Sequence, residues 1–245
     1  MNNKNKFNAL LTFLMLNTDN KLNIETYNEG YRGIHAKENI KKGEIILKLP
    51  IGYLITNKMA SENNLNIKKI SEINDLRYSN HSQIAFYMLI DKEQENPKFK
   101  SYYDVLPETL NIIPYFWSED ELSLLENSPF LKMINQKKNS IEEDYNKIVS
   151  YIPEFRRFNF EQFLFEMALV ISRNFSINVD GIKVNAMVPV ADMLNHDRLS
   201  KITWTFDNQS NSFTLTTNFE INAGEVMTDS YGAKNNYAYL SNYGF

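Results

Sequence analysis

An α+β fold is predicted by three features of this sequence. Short β-like stretches stand at both ends, a long run of helical periodicity separates them, and neither an internal repeat nor a Pro/Gly-rich linker divides the 245 residues. Strands that far apart can share one domain only if the two ends pair with each other across the helical block.

The first element is FNALLTFLML, an apolar run too short to span a bilayer. It lacks a basic leader with a small-residue cleavage site, so an amphipathic helix is expected there. YRGIHAKENIKKGEIILKLP then reads as two short strands around a turn. Residues 33–36 form the first, Lys41-Lys42-Gly43 the turn, and Ile45, Ile46, Leu47 and Leu49 the second, which stops at Pro50. From about residue 57 the pattern is helical. HSQIAFYMLIDKE carries apolar residues at helical spacing, WSEDELSLLEN opens with Ser118 three residues before Glu121, and SIEEDYNKIVSYI is amphipathic. A further helix starts near Asn159, with Gln162 as reciprocal cap, and buries Phe160, Phe163, Leu164, Met167, Ala168 and Ile171 along one face. It delivers Ser172, Arg173, Asn174 and Phe175 to its C-terminal end. ITWTF and SFTLTTN around Asp207-Asn208-Gln209-Ser210 predict a hairpin. GEVMTDSYG is one more strand, running into AKNNYAYLSNYGF.

Composition bounds the function. Hydrophobic residues at 43% and aromatics at 13% describe a chain that builds a core. A net charge of −4 offers no basic footprint, so no direct nucleic-acid partner is expected. No cysteine is present, which removes disulfides, thiolate zinc sites and a cysteine nucleophile. His35, His81 and His196 are scattered, so no metal is expected. The expectation is a soluble intracellular chain, of cytoplasm or nucleus, without membrane partners.

The stretch VADMLNHD, residues 190–197, gathers Asp192, Asn195, His196 and Asp197 behind an apolar run. Alone, Asn-His-Asp is also good turn chemistry. Together with GYRGIHA followed by IKKGEIIL, and with the terminal GEVMTDSYG…NYGF, it resembles the SET-domain methyltransferases in motif and order. FKSYYDVLPETLNIIPYFWSEDELSLL and ISRNF are similar to the helical insert of the Rubisco large-subunit lysine methyltransferase and actin histidine methyltransferase branch. The likeness spans about residues 25–245. It departs at Glu29-Gly30-Tyr31-Arg32-Gly33, one residue longer than the branch's Glu-Gly-x-Gly, and at Phe245, where that branch continues into a C-terminal substrate-binding domain.

The resemblance implies a SET fold of small twisted sheets, with knot-like threading of the C-terminal strand. One domain is expected over 1–245, with a core of about 22–56 and 172–245 around an insert of about 57–171. It implies S-adenosylmethionine as cofactor, S-adenosylhomocysteine as product and no metal. The cofactor would lie against Glu29, Gly30, Tyr31, Arg32, Gly33, Arg173, Asp192, Asn195, His196, Tyr243 and Phe245. Tyr231 would be catalytic, and Ser172, Phe175, Tyr231, Tyr243 and Phe245 would line the substrate channel. The implied partner is a protein presenting a lysine, with no oligomeric state assigned. In the actin enzyme an asparagine stands where this chain has Phe175, and the final motif lacks Tyr243; an aromatic wall suits an alkyl-ammonium stem. A protein-histidine methyltransferase and a catalytically silent SET-fold binding module are the alternatives.

Overall fold

The computed structural model describes residues 3–16, 20–27 and 31–245. The chain divides into two units. One comprises residues 1–55, 99–106 and 175–232, the other 56–98, 107–174 and 233–245.

The first unit holds the sheets. It begins with helix α1 (Asn3–Phe13), whose Phe7, Leu10 and Leu11 are buried. Strands β1 (Leu22–Thr26) and β2 (Arg32–Ala36) form an antiparallel pair in the register Leu22↔Ala36 to Thr26↔Arg32. β3 (Ile45–Pro50) ends at its proline, as expected, and β4 (Ile55–Thr56) follows. β5 (Asn174–Val179) and β6 (Ile182–Met187) are joined by Asp180-Gly181, both at positive φ (51° and 83°), the turn that suits twisted hairpins. β7 (Asn195–His196), β8 (Ile202–Asp207), β9 (Ser212–Thr217) and β10 (Val226–Asp229) complete the set. The strands assemble as β1-β2-β10-β7, β3-β9-β8 and β4-β6-β5.

The two chain ends do pair. β10 lies against β2 through Val226↔His35 and Met227↔Ile34, β3 pairs with β9, and Ile40 bridges to Ile221. One expectation needs correcting: β2 and β3 do not pair around the Lys41–Gly43 turn. β2 lies between its sequence neighbour β1 and the distant β10, and β3 pairs with the distant β9. The reason is burial. Ile34, Leu47 and Leu49 face a core that Phe213, Leu215 and Met227 complete, and these are all nearly inaccessible.

The second unit is helical: α2 (Asn57–Asn63), α3 (Leu65–Ile70), α4 (Ser79–Lys92), α6 (Glu119–Ser123), α7 (Pro129–Tyr151), α8 (Phe160–Arg173) and α9 (Asn236–Tyr243), with the short α5 (Lys100–Tyr103) belonging to the first unit. Both capping boxes form, Ser118 with Glu121 and Asn159 with Gln162. Each satisfies two helix-end donors and fixes where the helix starts. α4 and α8 pack around Phe86, which stacks on Phe163 at 4.8 Å and on Phe155 at 4.3 Å. α8 ends at Arg173, so Asn174 and Phe175 start β5 and are not the tail of a helix, correcting the second expectation. Among the described residues no helix is long and apolar enough to cross a membrane.

Candidate active site

Gly33 is buried in β2, and a side chain there would displace its neighbours. A Cβ there would lie 2.6 Å from Tyr27 Oη and 3.3 Å from Asn195 Nδ2. Glycine lets both side chains approach the strand this closely. Asn195 Nδ2 also donates to the Arg32 carbonyl at 2.9 Å, tying the asparagine to the strand that carries Gly33. Tyr31, next to them, is exposed. Glu29 and Gly30 lie outside the described residues.

The segment that presents Asn195 and His196 is shaped by strain. Val190, buried and β-branched, sits at φ 72° and ψ −49°, close to the rare γ-turn conformation. It opens a 3-10 turn over Ala191–Met193, whose Asp192 N–H donates to the Val188 carbonyl at 3.1 Å. Asp192 is buried, and its Oδ2 accepts from the Tyr102 hydroxyl at 2.7 Å. Asp192 thus anchors the turn. The chain leaves it as β7, parallel to β10 in the register Thr228↔Asn195 and Asp229↔His196.

Tyr231 follows β10 and is held at both ends. Its N–H donates to His196 Nδ1 at 3.1 Å, and its hydroxyl donates to the Leu194 carbonyl at 2.8 Å. Nδ1 therefore carries no proton, and in the neutral ring Nε2 does. The two rings stack at 5.2 Å and 30°. Asp229, two residues earlier, accepts the Ser230 N–H at 2.7 Å, and burial pushes its carboxyl up to about 6. The tyrosine oxygen, its proton committed to Leu194, presents lone pairs in a fixed direction.

Phe175 is half-buried, edge-on to Trp204 (5.4 Å) and Phe213 (5.1 Å). Arg32, Gly33, Asp192, Asn195, His196 and Tyr231 are thus linked within the first unit, which also holds Phe175. Ser172, Arg173, Tyr243 and Phe245 belong to the helical unit. There the Ser172 hydroxyl donates back to the Ala168 and Leu169 carbonyls at 2.8 and 3.1 Å, and Arg173 is the last residue of α8. Tyr243 and Phe245 lie around Tyr239, with Phe245 stacked on it at 5.5 Å. Burial, followed by the neighbouring Tyr239, raises the Tyr243 phenol above its ordinary value, so it stays protonated. Gly244 between them is left-handed at φ 84°.

Sequence reasoning does not single out Tyr27 or Tyr102. Both make contacts to residues far away in the chain, and no local pattern marks them. Among the described residues no group of three or more His, Cys, Asp or Glu could hold a metal ion.

Comparison with known proteins agrees with this architecture. The SET domain family matches residues 31–232. Ribosomal lysine N-methyltransferase set10 of Schizosaccharomyces pombe is 25% identical over 86% of this chain and 39% of its own length. The chloroplastic Rubisco large-subunit N-methyltransferase of Nicotiana tabacum is 27% identical over 67% and 33%. Actin-histidine N-methyltransferase of Rhinolophus ferrumequinum is 25% identical over 89% and 38%. The chain therefore spans less than half of each of these relatives. The structure of Rubisco LSMT bound to AdoMet superposes with a TM-score of 0.83 at 22% identity, covering 100% of this chain and 56% of that one. With the family matching most of its length and the same fold found in LSMT, the chain belongs to the SET domain family.

Proposed function

We propose that this chain is an S-adenosylmethionine-dependent protein-lysine N-methyltransferase. The observation that carries this reading is the linkage of Gly33, Asn195, His196 and Tyr231, which come from three separate stretches of sequence and are joined by short contacts. The residues fit the cofactor: Gly33 leaves room for the Tyr27 hydroxyl and the Asn195 amide to meet over β2, and this polar corner suits an amino-acid moiety. The cofactor supplies an electrophilic sulfonium methyl.

The residues Tyr31, Arg32, Gly33, Asn195 and His196, with Glu29, Gly30, Asp192, Arg173, Tyr243 and Phe245, are the proposed cofactor contacts. Tyr231 is the proposed catalytic residue, aligning methyl and amine by preorganised lone pairs without abstracting a proton. Ser172, Phe175, Tyr243 and Phe245 are the proposed walls of the acceptor channel. An apolar aromatic channel disfavours an ammonium and lowers the acceptor's pKa, so desolvation generates the neutral nucleophile.

Lysine is favoured over histidine as acceptor by the aromatic character of Phe175 and Tyr243, neither of which offers an imidazole an amide partner. The likeness to actin-histidine N-methyltransferases keeps histidine as the second reading. A silent binding module has no need of Tyr231 or Asn195-His196. The test is incubation with methyl-labelled cofactor and a cell lysate, followed by mass spectrometry of the labelled proteins. Methyl-lysine is expected. Methyl-histidine as the main product overturns the lysine assignment, and absence of label, with the cofactor bound, favours the silent module.

A further inference from the structure

Two side chains outside the predicted set form one wall of the Gly33–Asn195 cluster. Tyr27 follows β1, and its backbone N–H donates to the Tyr31 carbonyl at 2.6 Å. Its hydroxyl is hydrogen-bonded to His35 Nε2. His35 Nδ1 lies 2.8 Å from the Gly224 carbonyl oxygen. A carbonyl can only accept, so Nδ1 carries the proton. In the neutral ring Nε2 must then accept, which makes the Tyr27 hydroxyl the donor. The anchor is itself fixed: Gly224 N–H donates to the Ala36 carbonyl at 2.8 Å, and Ala36 N–H to the Glu225 carbonyl at 3.0 Å.

With its proton committed to His35, the Tyr27 oxygen turns only lone pairs to its other neighbours. It lies 2.6 Å from the Cβ position of Gly33, and Asn195 Nδ2 lies 3.3 Å from that same point. The Glu25 carboxylate acts on Tyr27 from the same strand end and adds negative potential. Tyr27 is nonetheless 42% exposed, so part of this wall is open. An oriented lone-pair acceptor near a carboxylate repels anions and selects a cationic donor.

We propose that Tyr27 is a cofactor-binding residue whose oxygen accepts a hydrogen bond from the α-ammonium of the cofactor's methionine moiety, with His35 as the positioning residue that fixes its direction. This rests on the proposed function and adds a contact to that site. It also gives residue 33 a second reason to be glycine, since a side chain there would displace the hydroxyl.

Titration calorimetry with S-adenosylhomocysteine, and with its analogue bearing hydrogen in place of the α-amino group, tests it. Tyr27→Phe is expected to weaken S-adenosylhomocysteine about tenfold to a hundredfold, the range for a hydrogen bond to a charged group. Binding of the desamino analogue should stay unchanged. His35→Leu should reproduce this loss of selectivity without touching the ligand. A merely structural role lowers affinity for both ligands alike, and that result overturns the inference. Thermal melting supplies a handle independent of ligand. Gly33→Ala should destabilise less in the Tyr27→Phe background than in the wild type, because the atom met at 2.6 Å is gone. Strict additivity of the two substitutions overturns the placement of Tyr27. Failure of the wild type to bind S-adenosylhomocysteine overturns the proposed function and this inference with it. Binding by the wild type that Tyr27→Phe leaves untouched overturns the inference alone.

Discussion

Replacing three glycines by alanine, one at a time, should give three graded costs. Gly52 has nothing within 4 Å of its Cβ position and no positive φ; Gly181 also has open space but sits at φ 83°. Gly244 sits at φ 84°, and its Cβ would lie 2.7 Å from the Ile112 carbonyl oxygen and 2.8 Å from Ile112 Cβ and Cγ1. Its N–H caps α9 by donating to the Leu240 carbonyl at 3.0 Å. Gly52→Ala should therefore change stability by no more than about 1 kcal/mol, and by restricting the unfolded chain it can add a few tenths. Gly181→Ala carries only the left-handed backbone cost of about 1–2 kcal/mol. Gly244→Ala adds overpacking against a backbone carbonyl that cannot rotate away, about 1–3 kcal/mol more, for a total of about 2–5 kcal/mol. Urea unfolding monitored by circular dichroism gives the three midpoints, scored on the transition of the unit each glycine belongs to, with unchanged m-values as the control. Cofactor binding should weaken with Gly244→Ala alone, since Tyr243 and Phe245 flank it. Equal costs at Gly181 and Gly244 would refute the packing of the last turn of α9 on Ile112.

Asn195→Ala should weaken cofactor binding by about 1–3 kcal/mol, roughly tenfold or more, because it removes a polar contact and the tie to the Arg32 carbonyl; calorimetry showing wild-type affinity removes this residue from the site. Asp229 is held up to about 6 by burial, so the folded state binds its proton more tightly than the unfolded one. That contribution is present below the ordinary carboxylate value and is lost as pH rises through about 6. Asp229→Asn, which mimics the protonated acid, should raise the melting temperature at pH 8 and change it little at pH 4; no gain at pH 8 contradicts this. His81 runs the other way: burial, and then the Lys137 charge, hold it down to about 4 from 6.5, so stability present above 6.5 falls by up to about 3 kcal/mol as pH drops toward 4. His81→Gln should flatten that acid limb of a melting-temperature profile, and an unchanged slope would count against the burial of the ring.

Elements marked by local chemistry were legible in the sequence. Ser118-Glu121 and Asn159-Gln162 announce helix starts, Pro50 stops β3, and the polar turn at 207–210 joins β8 to β9. Asp180-Gly181 carries an equally strong turn signal, but the apolar face of α8 runs straight into Asn174-Phe175 and masks where the helix ends and β5 begins. β1 is five residues with only Leu22 and Ile24 buried, too little alternation to be read alone. The Gly33, Asn195-His196 and Tyr231 motifs were readable because their residue types and order are distinctive. The partners that orient them were not. Tyr102 reaches Asp192 across 90 residues and His35 reaches Gly224 across 189, and no local pattern encodes a contact of that range.

The central claim is that Tyr231 aligns a methyl donor with an acceptor amine. Single-turnover methylation by the wild type and by Tyr231→Phe, with cofactor affinity measured in parallel, tests it most directly. The substitution removes one oxygen, and the ring can keep its stacking on His196. Cofactor affinity should therefore change little, while loss of the bond to the Leu194 carbonyl should cost about 1 kcal/mol of stability, equally with and without cofactor. The rate should fall on the order of 10²–10³, by analogy with the loss of one preorganised polar group from an oxyanion hole. Wild-type rates in Tyr231→Phe would contradict the account and move the chemistry to another residue.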